Sequence, residues 1–183
     1  MTTKTINLYS FDELTKEQQE KVIENHRDIN TFDNWHDWEI EEWTQKLSRQ
    51  GFNDAKIYFS GFYSQGDGAS FSANVDLSKF LKGRRLATKY AKEMKLAEET
   101  GDNIVIEQSS PHYCHEYTMS IDSDNLPADL ENFILEEARK QACAIYKDLR
   151  SLYEDLTSNE TIAETLRANE YLFNEETLKI DSE

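Results

Sequence analysis

From Leu130 to Leu156 the apolar residues Leu130, Phe133, Ile134, Ala138, Ala142, Ile145, Leu149, Leu152 and Leu156 recur at steps of three and four. That period marks one face of an α-helix. Pro127 follows the candidate caps Asp124 and Asn125, where a first-turn proline belongs. The spacing predicts a helix from about 128 to 156, roughly 40 Å long. A helix of this length with a single apolar stripe needs other structure to cover it. Aromatic residues make up 11% of the chain, and at about 150–250 Å² buried per ring they can supply a core.

Shorter elements surround this helix. Thr5-Ile6-Asn7-Leu8-Tyr9 alternates like a half-buried strand. Thr15 and Gln18 have capping-box spacing and open a helix from about 16 to 28. Trp35, Ile40, Trp43 and Leu47 share one arc of a second helix from about 33 to 49. Residues 55–63 are rich in β-formers, Gly66-Asp67-Gly68 signals a turn, and residues 69–75 read as the returning strand. Leu86, Tyr90, Met94 and Ala97 predict a helix from 84 to 98. A second hairpin is expected from 103–108 and 113–121, turning at Ser109-Ser110-Pro111. Thr157-Ser158-Asn159-Glu160 repeats the capping box before a short helix to about 169, and residues 171–180 read as a last strand. Hairpins separated by helices make the fold α+β: a mainly antiparallel sheet with the long helix packed on one face. One domain spanning 1–183 is expected, with a tail that frays after about 175.

Charge narrows the class. The chain has 20 Lys and Arg against 36 Asp and Glu, a net −16. Between Lys79 and Lys95, however, seven cations (Lys79, Lys82, Arg84, Arg85, Lys89, Lys92 and Lys95) meet one acid, Glu93. That island carries +6 and leaves −22 on the rest of a chain whose total is −16. Arg84, Arg85, Lys89 and Lys92 are the candidates for nucleic-acid phosphates, although cations can also simply coat a helix face. The acidic remainder suits a basic groove on another protein. No apolar run reaches the roughly 18 residues of a membrane span, so no membrane partner is expected. Two cysteines, Cys114 and Cys143, give no disulfide framework, and with no secretory signal they suggest the cytoplasm.

Two stretches are candidates for chemistry. The first is the glycine-rich Phe59-Ser60-Gly61-Phe62-Tyr63-Ser64-Gln65-Gly66-Asp67-Gly68-Ala69-Ser70-Phe71. Its Ser64, Gln65, Gly66, Gly68 and Ser70 could present donors to a phosphate; alternatively, the turn is structural and the phenylalanines fill the core beneath it. It lacks the spacing of a Walker or dinucleotide loop. The second is His112-Tyr113-Cys114-His115-Glu116. On a strand its two histidines face opposite sides, which argues against zinc, and no metal or cofactor is assigned. His115 as general acid or base, oriented by Asp67 or Glu116, is the catalytic candidate. A pair of half-exposed histidines without catalytic work is the plainer alternative.

The glycine-rich stretch resembles the signature of a broad family of phage and bacterial mobile-element proteins. Tyr113-Cys114-His115-Glu116-Tyr117-Thr118-Met119-Ser120 is similar to a second stretch of that family. So is Tyr153-Glu154-Asp155-Leu156-Thr157-Ser158-Asn159-Glu160, followed by Ala168-Asn169-Glu170-Tyr171. Size, acidity and the aromatic-rich first half also resemble type II anti-CRISPR proteins, some of which act on the guide RNA. The resemblance implies a counter-defence protein whose partner is an RNA-guided CRISPR effector nuclease or its guide RNA. The site residues it carries over are confined to the 64–70 loop and the Tyr113/His115 segment. Two alternatives stand beside this one: an RNA-processing nuclease using His115, and an antitoxin-like protein that neutralises a basic partner.

Overall fold

The computed structural model describes residues 7–101, 103–110, 113–174 and 176–180. They form β1 (Leu8–Ser10), α1 (Lys16–Asn25), α2 (Asp37–Arg49), β2 (Phe52–Phe59), β3 (Ala69–Val75), α3 (Leu77–Gly83) and α4 (Ala91–Thr100). The second half adds β4 (Val105–Gln108), β5 (Met119–Asp122), α5 (Ala128–Leu156), α6 (Asn159–Ala168) and β6 (Leu172–Asn174). The chain divides into two compact units, residues 36–150 and residues 1–35 with 151–183.

The larger unit is built on a four-stranded antiparallel sheet in the order β2-β3-β4-β5. The long helix packs on this sheet, so the architecture is α+β. Leu130, Ile134, Ala138, Ala142, Ile145 and Leu149 are the buried stripe of α5. Small residues at 138 and 142 let the helix approach closely, while each fully buried Leu or Ile contributes about 1.5–3 kcal/mol. Phe52 meets Phe71 and Phe80 edge to face at 5.4 and 5.5 Å, and Phe80 meets Phe133 at 5.9 Å. Sheet, α3 and α5 thus share one aromatic core.

In the smaller unit β1 pairs antiparallel with β6, placing Tyr9 opposite Phe173. Phe11, Leu14, Val22, Ile23, Ile162, Leu166 and Phe173 form its core. The capping box of α1 occurs where the sequence puts it, whereas α6 is capped by Ser158, one residue after the expected Thr157, with Thr161 rather than Glu160 as its partner. Thr15 Oγ1 accepts from the Gln18 amide at 3.4 Å, and Ser158 Oγ accepts from the Thr161 amide at 3.1 Å. Thr5 and Ile6 of the expected first strand lie outside the described residues.

Three elements differ from the expectation. The helix predicted over 84–98 is replaced by α3, a turn and α4. Asp76 caps α3 by accepting from the Lys79 amide at 2.9 Å, and Arg85 takes a left-handed φ of 58° that stops the helix. The second strand of the second hairpin begins at Met119 rather than 113, because residues 116–118 form a 3₁₀ turn. α2 starts at Asp37 rather than 33, after Asn34 with a φ of 43°.

Two contacts fix α3. At the turn after α2, Gly51 has a φ of +95°, and a Cβ there would lie 2.7 Å from the Phe80 nitrogen. The Gly51 carbonyl accepts from the Asp76 amide at 2.8 Å. At the other end of α3, the Arg84 guanidinium bonds to Glu137 at 3.2 Å, to the carbonyls of Gln50 and Phe80, and stacks on the Phe80 ring. Burial alone would raise the Glu137 carboxyl, but hydrogen bonds from Lys140 and Arg84 outweigh it and hold the group below the ordinary carboxylate range.

Gly51→Ala combines a left-handed backbone with a backbone clash and is expected to cost about 1–3 kcal/mol, read from urea denaturation. Glu137 binds its proton less tightly folded than unfolded. Its contribution is therefore complete above about pH 4.3 and is lost as pH falls through the lowered folded value. Glu137→Gln should lower stability at neutral pH by about 1–3 kcal/mol. It should also flatten the acid limb of stability against pH, as followed by urea midpoints.

Candidate binding surface

The loop between β2 and β3 is closed by its own polar groups. The Ser60 amide donates to the Gly68 carbonyl at 3.1 Å, and the Gly68 amide to Ser60 Oγ at 3.3 Å. Inside the loop, Asp67 Oδ2 accepts from the amides of Tyr63 (2.9 Å) and Ser64 (2.6 Å). Gly66 turns with a φ of +96°, a region open to glycine at no steric cost. The loop is also pegged to α5. The buried Phe62 lies 5.5 Å from the Tyr146 ring, and Tyr146 donates its hydroxyl to the Gly61 carbonyl at 3.4 Å. Burial raises the Tyr146 phenol, and the Asp67 carboxylate raises it further against the opposing Arg150.

The segment leading into β5 is pinned in the same way. His115 Nδ1 accepts from the Tyr117 amide at 3.2 Å, and the His115 carbonyl accepts from both the amide and the hydroxyl of Thr118. Gln108 Nε2 donates to the Tyr113 carbonyl at 3.0 Å. Arg139 lies over the Tyr117 ring at 5.3 Å. Burial raises the Cys143 thiol, and the neighbouring Glu116 carboxylate adds to it; burial also raises Cys114. Both sulfurs therefore stay protonated near neutrality and are poor nucleophiles.

The two motifs meet. A Cβ on Gly68 would lie 2.7 Å from the His115 Cβ and 2.8 Å from its Cα, and one on Gly66 would lie 3.3 Å from the Tyr113 ring. Around this junction Tyr63, Tyr113 and Tyr117 stand out from the protein, 73%, 57% and 71% exposed. Three large exposed rings are thus carried on two loops that touch each other at Gly66, Gly68, Tyr113 and His115.

The catalytic candidates come near one another without forming a catalytic arrangement. Asp67 is turned to its own loop amides, Glu116 to Cys143, and His115 Nδ1 to the Tyr117 amide. Among the described residues no hydrogen bond joins the three. His112 lies outside the described residues. Of the loop candidates, Ser64 and Gln65 are exposed and Gly66 is half-buried. Gly68 is buried against His115, and Ser70 is fully buried on β3 with no partner for its hydroxyl. The basic island separates into different roles. Arg84 is internal, and Lys89 donates to the Tyr90 hydroxyl at 2.7 Å. Arg85 and Lys92 are exposed. Among the described residues no group of three or more His, Cys, Asp or Glu is placed to hold a metal, and no helix is long and apolar enough to cross a membrane. The sequence reading missed Tyr63, Tyr117 and Arg139; the tyrosines flanking both motifs were the available signal.

Fold and surface together define an α+β protein with a tyrosine-lined face carried on a four-stranded antiparallel sheet. A family model described as a domain of unknown function (DUF8835) matches residues 35–159, and the chain belongs to that family. The match takes in both loops and the whole of the larger unit. Neither a curated protein nor a solved structure matches the chain.

Gly68→Ala forces a methyl group into the backbone and Cβ of His115, so the loops must part. It is expected to destabilise by about 1–3 kcal/mol. Tyr63→Ala and Tyr117→Ala, on exposed rings, are expected to stay within about 0.5 kcal/mol of wild type. Thermal melts of the three variants check this contrast.

Proposed function

We propose that the chain is a counter-defence binding protein that inhibits an RNA-guided CRISPR effector by engaging its guide RNA or its nucleic-acid channel. The observation that carries this reading is the braced face of Tyr63, Tyr113 and Tyr117 at the meeting point of the two motifs. Tyrosine supplies contact area at low conformational-entropy cost, anchors protein interfaces, and stacks on unpaired bases. The net charge of −16 supports the channel side of the reading, since an anionic body is drawn to a groove built for polynucleotide. Among the described residues no carboxylate is hydrogen-bonded to His115 to orient it, which favours binding over RNA cleavage.

The test is incubation with an effector, with and without guide RNA. Co-precipitation reports binding, and a denaturing gel reports the fate of the RNA. Replacing Tyr63, Tyr113 and Tyr117 together by alanine should weaken binding at least about 30-fold, taking at least about 2 kcal/mol for hot-spot anchors. His115→Asn, which keeps a side-chain acceptor for the Tyr117 amide while removing the imidazole, should leave inhibition intact. RNA cutting that stops in His115→Asn would instead support the nuclease reading. Absence of effector binding in both arms removes the proposal.

A further inference from the structure

We propose that a basic hollow where α2 meets α3 binds the phosphodiester backbone of single-stranded RNA. This site is separate from the tyrosine face, and the inference does not rest on the reading given to that face. The hollow measures about 470 Å³ and is lined by Arg49, Lys79 and Lys82 with Asp76, Ser78 and Gly83. Its cations come from distant parts of the sequence. Arg49 ends α2, whereas Lys79 and Lys82 lie three residues apart on α3, a spacing that puts them on one side of the helix. Gly51 makes their convergence possible. With no Cβ it lets the chain pass within contact distance of the Phe80 nitrogen and the Asp76 carbonyl, and its own carbonyl holds the Asp76 amide.

The electrostatics of the hollow point to an anion. Among the described residues none of these three cations has a carboxylate within ion-pair distance. Lys46, Arg84, Lys95 and Lys140 by contrast all have one. The one carboxylate in the lining, Asp76, is partly committed to capping α3 through the Lys79 amide. Three like charges around one hollow repel, and a phosphate relieves that repulsion. Arginine offers a fork to phosphate oxygens and lysines act as point charges, while Ser78 adds a hydroxyl. A rigid duplex crossing this protein would run along surface that is anionic overall, at a net −16. A flexible single strand can bend its phosphates onto one local patch and avoid the rest.

The experiment is fluorescence anisotropy of a labelled single-stranded RNA titrated with the full chain at several salt concentrations. Each phosphate contact removed should reduce the slope of log affinity against log salt by about 0.7. Replacing Arg49, Lys79 and Lys82 together by glutamine should therefore reduce it by about 2. Lys82→Gln alone, an exposed single change expected to give about 0.7, keeps the test readable if the triple variant fails to fold. Arg85→Gln with Lys92→Gln, exposed cations outside the hollow, should leave affinity and slope unchanged. Four results overturn the proposal: no binding by the wild type, an unchanged slope in the hollow variants, an equal loss in the Arg85/Lys92 variant, or equal affinity for duplex DNA. Only protein and nucleic acid are present, so the outcome is independent of whether the chain inhibits an effector.

Discussion

A methyl group on residue 68 would sit 2.7 Å from the Cβ of His115. The β2–β3 loop and the lead-in to β5 can therefore touch only while position 68 has no side chain. Gly68 directly precedes β3, and His115 caps the 3₁₀ turn that runs into β5 at Met119, so the contact lies at the entry to two strands of the sheet. The Phe71 amide points at the Met119 sulfur at 3.3 Å, an extension of the same junction into the sheet. α5 seals it from the other side through Tyr146 on the Gly61 carbonyl and Arg139 on the Tyr117 ring. With backbone and core side chains committed inward, the tyrosines of both loops project outward.

Charge in this protein is partitioned rather than spread. Arg84 is withdrawn from the basic island to act as a structural bolt, its guanidinium divided among two carbonyls, Glu137 and the Phe80 ring. Desolvating an arginine is costly unless its donors are satisfied, and here each contact comes from an element the bolt joins: α3, the turn after α2, and α5. Lys95 is paired along its own helix with Glu99 at 3.4 Å. Of the cations left to face solvent, Lys79 and Lys82 line one hollow with Arg49, which the linear sequence places far from them. A count of charges along the chain therefore locates a basic region but not the basic surface, which tertiary structure redraws.

The readability of the sequence follows the range of the interaction responsible. The α5 stripe and the Thr15 cap depend on neighbours within four residues, and the structure places them where periodicity and capping chemistry do, while the α6 cap falls on Ser158, one residue past the expected Thr157. The hairpin of β2 and β3 was legible from its β-formers and Gly-Asp-Gly turn, although the strand ends at Phe59 and the loop is longer than a tight turn. The 84–98 segment misled because Leu86, Tyr90, Met94 and Ala97 keep helical spacing across a break. The left-handed Arg85 and the long-range bonds of Arg84 override that local pattern. The strand alternation assumed for residues 113–118 failed for a related reason: the His115 ring captures the Tyr117 amide and curls the chain. The meeting of the two motifs was foreseeable only as far as both sat on hairpins of one sheet. The tyrosine face was not, because exposure is a property of packing.

Glycine placement links the two surfaces. Gly51 and Gly68 each bring backbone against backbone where a side chain would collide, one beside the basic hollow and the other beneath the tyrosine loops. Each sits between a rigid element and a segment whose polar groups are already satisfied, so neither contact can loosen without stranding hydrogen bonds. Rings and cations held this way lose little further freedom when a partner arrives, and affinity rises as the ordering cost of binding falls. Asp67 Oδ2 and His115 Nδ1 each accept from amides of their own loops, so two of the residues that were candidates for chemistry also hold the loops that carry the tyrosines.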